Sequence, residues 1–157
     1  MPESPQAPDP YDPYEVHRLT AARLTARDQR YTVNRRLLVE ALAAAPGPLT
    51  MAGILGEQDR MAQSSAYRNL AVLEEAGVVH RIVTSDDHAR FELTETITGQ
   101  HHHHLICDRC GDILDVTLPS ALEAALDSSL AQEAGRLGFI GSHHRVDLIG
   151  QCQICAA

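Results

Sequence analysis

Three features of the 157-residue sequence place it in the α+β class. Apolar residues recur at helical spacing through the first half, two β-prone runs close that half, and the second half carries Cys107-x-x-Cys110 and Cys152-x-x-Cys155 around strand-like and helical stretches. The expected architecture is an N-terminal winged helix-turn-helix domain followed by a small zinc-stapled α/β domain.

The first 13 residues hold four prolines among the first ten and little to bury, so a disordered tail is expected there. The tail is acidic and proline-rich rather than basic then apolar, which argues against a signal peptide. No apolar run approaches the roughly 20 residues that span a bilayer, so the cytoplasm is the expected compartment and no membrane partner is expected. The winged-helix domain is expected over residues 14–94. Tyr14 to Ala45 reads as two helices, with Val33, Leu37, Leu38 and Leu42 at helical spacing and Pro46-Gly47-Pro48 ending the second. Thr50 can cap a short third helix reaching about Glu57. In "QSSAYRNLAVLEEAG", Ser64 or Ser65 is a natural N-cap, Ala66, Leu70 and Leu73 form one apolar stripe, and Gly77 closes the fourth helix. "VVHRIVT" and "ARFELT" then read as two strands joined by the polar turn "SDDH". Helices followed by a hairpin make a winged helix-turn-helix, whose helix before the hairpin enters the major groove of DNA.

Residues 95–100, "ETITGQ", read as a hinge, and residues 101–157 as the second domain. There "HHHHLI" and "DILDVTL" read as strands, "PSALEAALDSSLAQEAGRLG" as an amphipathic helix started by Pro119, and "HHRVDLIG" as a returning strand. Two Cys-x-x-Cys pairs can bring four thiolates to the corners of a tetrahedron, the arrangement structural Zn²⁺ prefers. Disulfides are disfavoured in a cytosolic chain, and a redox pair would explain one motif but not its twin.

A formal net charge of −8 argues against nucleic acid as a partner for the whole molecule. Local charge argues the other way. All 13 basic residues are arginine, and Arg18, Arg23, Arg27, Arg30, Arg35 and Arg36 cluster in a segment whose one acid is Asp28. Screening limits the reach of distant charge to about 8 Å, so such a segment can still meet phosphate; its other reading is a solvated helix face.

The order "SAYRNLAVLEEAGVVHRI", "RFEL", "HHHHLICDRCG" and "HRVDLIGQCQIC" resembles the ferric uptake regulator family over roughly residues 14–155. The resemblance implies a homodimeric, metal-activated repressor that binds near-palindromic operator DNA and controls metal uptake genes. It also implies that the second domain is the dimerisation domain.

On a strand, His102 and His104 point one way and His101 and His103 the other, so one strand can feed two metal sites. The family pattern joins the first pair to a glutamate at the end of the wing, here Glu92, in a regulatory site. Iron-sensing members often add a histidine where this chain has Pro48. Some zinc-sensing members use a residue at the place of His80 and a cysteine near Thr94, which this chain lacks. His80, Glu92, His102 and His104 make an N₃O set suited to Zn²⁺ and open to Fe²⁺, and His80 tips the reading toward zinc. Peroxide sensing by oxidation of a metal-bound histidine stays open. The opposite face suggests a third site from His101, His103, His144 and an acid of the long helix, Glu123, although strict family spacing lands on Leu122. His17, His88 and His143 read as surface residues.

For DNA, the fourth helix offers Ser64, Ser65, Tyr67, Arg68 and Asn69. The resemblance gives Tyr67 a base contact and Arg68 a phosphate contact, while core packing is the other reading of Tyr67. Arg23, Arg27 and Arg30 are candidates for backbone or minor-groove contacts. An enzyme is not expected: the thiolate site is closed and the His-x-Glu with Pro-Cys-x-x-Cys deaminase signature is absent, leaving only a hydrolase built on the histidines. A winged-helix adaptor that binds no DNA and keeps only structural zinc is the other alternative.

Overall fold

The computed structural model describes residues 12–56 and 61–157, so residues 1–11 of the expected disordered tail and Glu57 lie outside the described residues, while Asp12 and Pro13, expected to belong to that tail, begin the first helix. The chain divides into two compact units, one ending at Gln100 and the other running from His101 to Ala157.

In the first unit, α1 (Pro13–Thr25) starts where Asp12 accepts a hydrogen bond from the Tyr14 amide at 2.9 Å, with a proline in its first turn. Helix α2 (Val33–Ala43) is capped by Thr32 and ends before the Pro46-Gly47-Pro48 segment. It buries Leu38 and Leu42 as expected, together with Val39, whereas Leu37 is half-buried and Val33 is exposed. Thr50 caps α3 (Met51–Leu55) through the Gly53 amide, as its side chain suggests. Helix α4 (Gln63–Glu75) starts earlier than expected: Ala62 occupies the N-cap with no side-chain bond, and Ser64 and Ser65 lie inside the first turn. Its Ala66, Leu70 and Leu73 stripe is buried.

The wing is a three-stranded antiparallel sheet in the order β1-β3-β2, made of β1 (Leu49–Thr50), β2 (Val79–Val83) and β3 (Ala89–Leu93). The two-residue strand β1 is too short to leave a period-2 pattern and is not legible in the sequence. At the wing's tip Arg90 holds the Asp86 carboxylate at 2.8 Å, and with Thr84 and the His88 amide keeps that carboxyl far below its usual range. Residues expected to be hinge form α5 (Glu95–Thr98), which sends Ile97 into the core with Leu24, Leu38, Leu70, Leu73 and Phe91.

Gly77 joins three of these parts. It follows α4 at φ 69°, and its carbonyl accepts from Arg23 Nη1 at 3.0 Å and from Thr94 Oγ1 at 2.8 Å. A Cβ there would stand 2.9 Å from Arg23 Nη1. Arg23, one of the arginines considered for DNA, is thus half-buried and committed to the fold.

The second unit is a sheet in the order β5-β4-β6, from β4 (His103–Cys107), β5 (Ile113–Val116) and β6 (Asp147–Gly150), with α6 (Ser120–Arg136) crossing between β5 and β6. β4 and β5 form an antiparallel hairpin, and β4 and β6 run parallel. Helix α6 runs through Gly135 and buries none of its residues, and every residue of β6 is exposed. Leu122, Leu130, Leu148 and Ile149 are among the apolar side chains left in solvent.

Gly77→Ala is expected to cost about 1–2 kcal/mol, the penalty of a left-handed conformation for a residue with a Cβ, plus the loss of the Arg23 contact. Urea unfolding followed by circular dichroism measures it; an unchanged midpoint would contradict this role for Gly77.

Candidate metal centres

Parallel pairing sets Cys107 at the end of β4 opposite Gly150 at the end of β6. Each strand then runs into a tight Cys-x-x-Cys turn. In one, the Gly111 amide donates to the Cys107 carbonyl with Gly111 at φ 70°; in the other, the Cys155 amide donates to the Cys152 carbonyl at 3.0 Å. The four sulfurs lie within 4.8 Å of one another. Cys110 Sγ and Cys152 Sγ are 3.8 Å apart, too far for a disulfide, and all four cysteines are free. Sulfurs about 2.3 Å from a tetrahedral Zn²⁺ stand about 3.8 Å from each other, so the spacing fits that ion.

The electrostatics point the same way. Backbone amides of Cys110, Cys152 and Arg109 directed at Cys107 lower its thiol to about 6, while the crowding thiols of Cys110 and Cys152 push Cys155 up to about 12. Four thiolates cannot share this space unaided; a divalent cation supplies the charge that lets them.

About 10 to 20 Å back along the strand from Cys107, at about 3.3 Å per residue, the four histidines at and before the start of β4 divide between the faces as strand alternation dictates. On one face the rings of His102 and His104 are 5.1 Å apart, and the hairpin register puts Asp115 directly opposite His104. Ligand atoms of His102, His104 and Asp115 fall within 4.8 Å of one another. His104 is 2% exposed, with Asp147 Oδ1 at 3.3 Å from Nδ1 and Asp115 Oδ1 at 3.8 Å from Nε2. Burial raises the Asp147 carboxyl, but Arg145 and His104 outweigh it and the net shift is downward. Asp115 and Asp147 were not read from the sequence. Counting back across the Cys107–Cys110 turn would have found Asp115.

On the other face, Glu123 of α6 gathers three histidines: His103 Nε2 at 2.8 Å, His144 Nε2 at 3.1 Å and His101 Nε2 at 3.3 Å. Desolvation raises Glu123, and the three histidines bring it below its ordinary value. Asp127, one turn further along α6, holds His144 Nδ1 at 2.8 Å. Leu122, the position given by strict family spacing, is exposed.

His80 and Glu92 are in the first unit, directly opposite each other on β2 and β3. Among the described residues His80 belongs to no cluster of three or more candidate ligands, which leaves it outside the set expected from the sequence. His17 is not a plain surface residue either. It is half-buried between α1 and α2, with Tyr31 Oη at 2.7 Å and Glu40 at 3.6 Å, and burial with nearby Arg36 lowers its pKa. His88 and His143 are exposed.

The groups considered for DNA lie mostly outward. Tyr67 is 47% exposed, and Ser64, Arg68, Arg27 and Arg30 are exposed, while Ser65 is half-buried. Asn69 is committed: it accepts from Arg35 Nε at 3.1 Å and donates to the Ser65 carbonyl.

A sequence profile of the Ferric uptake regulator family matches residues 26–148. The peroxide operon regulator of Bacillus subtilis is 31% identical over 137 residues, 87% of this chain and 86% of that protein. The peroxide-responsive repressor PerR of Staphylococcus epidermidis is 32% identical over 92 residues, 59% of this chain and 55% of its own length. In fold the chain is similar to the Helicobacter pylori ferric uptake regulator, whose structure reveals three functional metal-binding sites, with TM-score 0.67, 20% identity, and 92% and 93% of the two chains covered.

Cys152→Ser is expected to remove the most tightly held metal and to lower the melting temperature, because a structural zinc contributes its binding energy to folding. Elemental analysis after mild chelation checks this; a variant that keeps its metal would contradict a four-thiolate centre.

Proposed function

The chain belongs to the ferric uptake regulator family, and we propose that it is a metal-responsive transcriptional repressor that binds near-palindromic operator DNA as a homodimer when its regulatory centre is loaded. The observation that carries this reading is the separation of two kinds of ligand set on one strand. A closed four-thiol set suits a permanent ion, and a mixed imidazole and carboxylate set at His102, His104 and Asp115 suits an exchangeable one. We assign Glu92 of the winged-helix part to the same regulatory centre, as the family pattern implies. A cation that binds the DNA-competent arrangement better shifts the population toward it, by no more than that difference in affinity.

The donor set speaks to the metal. With His80 outside and Asp115 inside, two imidazoles and two carboxylates replace the N₃O set read from the sequence. More oxygen favours a harder ion than Zn²⁺, so the reading moves toward Fe²⁺, with zinc second. The name of the Bacillus subtilis relative supports a further element of the iron reading, a response to peroxide. Exposed leucines on α6 and the open outer strand β6 support a second copy of the chain as partner, since unpaired apolar strand edges are otherwise an aggregation hazard.

For DNA, Tyr67 is assigned to bases, and Arg68, Arg27 and Arg30 to phosphates. The third cluster, His101, His103, Glu123 and His144, is assigned as an accessory metal site.

Fluorescence anisotropy with labelled operator DNA tests the proposal. Arg68→Ala is expected to reduce the slope of log affinity against log salt by about 0.9, one phosphate contact, and Tyr67→Ala to cost about 1–3 kcal/mol with relaxed sequence preference. Fe²⁺-loaded protein is expected to release DNA after hydrogen peroxide treatment, and Zn²⁺-loaded protein to retain it. DNA binding indifferent to metal and salt would favour the adaptor reading instead.

A further inference from the structure

Arg35 belongs to the basic cluster of the first unit, yet each nitrogen of its guanidinium donates to the protein. Nε donates to Asn69 Oδ1 of α4 at 3.1 Å, Nη1 to the Arg30 carbonyl at 2.5 Å and Nη2 to Gln29 Oε1 at 3.0 Å. Asn69 is used at both ends of its amide. Arginine can only donate, so the Asn69 oxygen faces Arg35 and the Asn69 nitrogen turns to Ser65, one turn back on α4, with the carbonyl at 2.9 Å and the hydroxyl at 3.4 Å. Arg35, Asn69 and Ser65 are half-buried, whereas Arg27, Arg30, Tyr67 and Arg68 are exposed.

The loop between α1 and α2, which carries Arg27 and Arg30, is tied at both ends. Where it leaves α1, Asp28 takes the left-handed conformation at φ 55°, its amide donates to the Thr25 carbonyl, and the Gln29 amide donates to the Leu24 carbonyl at 2.9 Å. Where it enters α2, Thr32 accepts from the Arg35 amide, and the Arg35 side chain reaches back to residues 29 and 30 and across to α4. Apolar packing of α2 on α4 is non-directional, so it holds the helices together without fixing where the loop stands against the first turns of α4. The planar fork of an arginine fixes that placement.

We propose that Arg35 is a positioning residue for DNA recognition: it locks the loop that carries Arg27 and Arg30 to the helix that carries Tyr67 and Arg68, so that phosphate and base contacts are presented at one spacing. Phosphate contacts set the register of a protein on the duplex and base contacts read the sequence, so the two support each other only when their separation is fixed. Arg35 thereby governs discrimination between sequences more than overall attraction to DNA. Lysine keeps the charge but is a point charge on a flexible stem and cannot reproduce the fork.

This inference rests on the DNA-binding reading of α4, and the experiment separates the two. The probes are a duplex enriched from a randomised pool by the unaltered protein, loaded with Fe²⁺ or Zn²⁺, and an unrelated duplex of the same length. Arg35→Lys is expected to bind the enriched duplex about 10-fold more weakly, to bind the unrelated duplex unchanged, and to keep the slope of log affinity against log salt, with circular dichroism confirming the folded state. Asn69→Ala is expected to do the same, and it decides the comparison if Arg35→Lys does not fold. The double variant is expected to be no weaker than the weaker single one, because both substitutions break one link. Unaltered discrimination in Arg35→Lys, or additive losses in the double variant, would overturn the proposal. So would equal losses on both duplexes in Arg35→Gln with a slope lower by about 0.9, which would make Arg35 a phosphate contact. An unaltered protein that enriches no sequence with either metal would sink the DNA-binding reading, and the positioning role with it.

Discussion

The parallel pairing of β4 with β6 is the constraint on which the second half of the molecule depends. In one register it sets Cys107 against Gly150, so that two Cys-x-x-Cys turns meet, and His104 against Asp147, so that an imidazole meets a carboxylate. A shift of one residue would turn every β6 side chain to the other face and separate both pairs. Parallel strands need a long crossover, and here it is α6, which brings Glu123 to His101, His103 and His144. The unit buries few apolar side chains of its own, with Ile106 and Cys107 the ones in its interior. A bound metal at the four thiols can supply the cohesion that a small core does not, as in other domains of this size.

Strand alternation turns that register into two chemistries. Consecutive histidines on β4 face opposite sides, so a four-residue run feeds two separate clusters without any further element. The clusters differ in what surrounds them. One is edged by strand carboxylates, Asp115 and Asp147, and the other is centred on a helix carboxylate, Glu123, with Asp127 behind His144. In the first unit the same economy is visible at Gly77, whose carbonyl alone collects the end of α1 and the end of the wing.

Much of this was legible in the residues, where the signal is local. The paired cysteines, the alternation of the histidines and the Ala66, Leu70 and Leu73 stripe are short-range patterns, and the fold gathers the thiols, divides the histidines between two clusters and buries the stripe. Asp147 and Asp127 were not legible because they reach the histidines through parallel pairing and a helix turn, which a linear pattern does not display, whereas Asp115 is reachable by counting the hairpin register across the Cys107–Cys110 turn. His80 was drawn in by family spacing, and the sheet sets it on the outer strand, directly opposite Glu92. The serines at 64 and 65 were read as caps from residue type alone. The helix starts one turn edge earlier, at Gln63, because Ala62 adopts the extended cap conformation without needing a side-chain bond. The preference for zinc rested on His80, which belongs to none of the ligand clusters among the described residues.

Elemental analysis of the tag-free protein through stepwise chelation and reloading tests the central claim most directly, that one strand pairing builds a permanent centre and separate exchangeable ones. The expected result is zinc that resists mild chelation alongside a second metal fraction that leaves and returns without loss of the folded state. A protein that releases all its metal in one step, or that never holds more than the resistant zinc when offered Fe²⁺ or Zn²⁺, would contradict it.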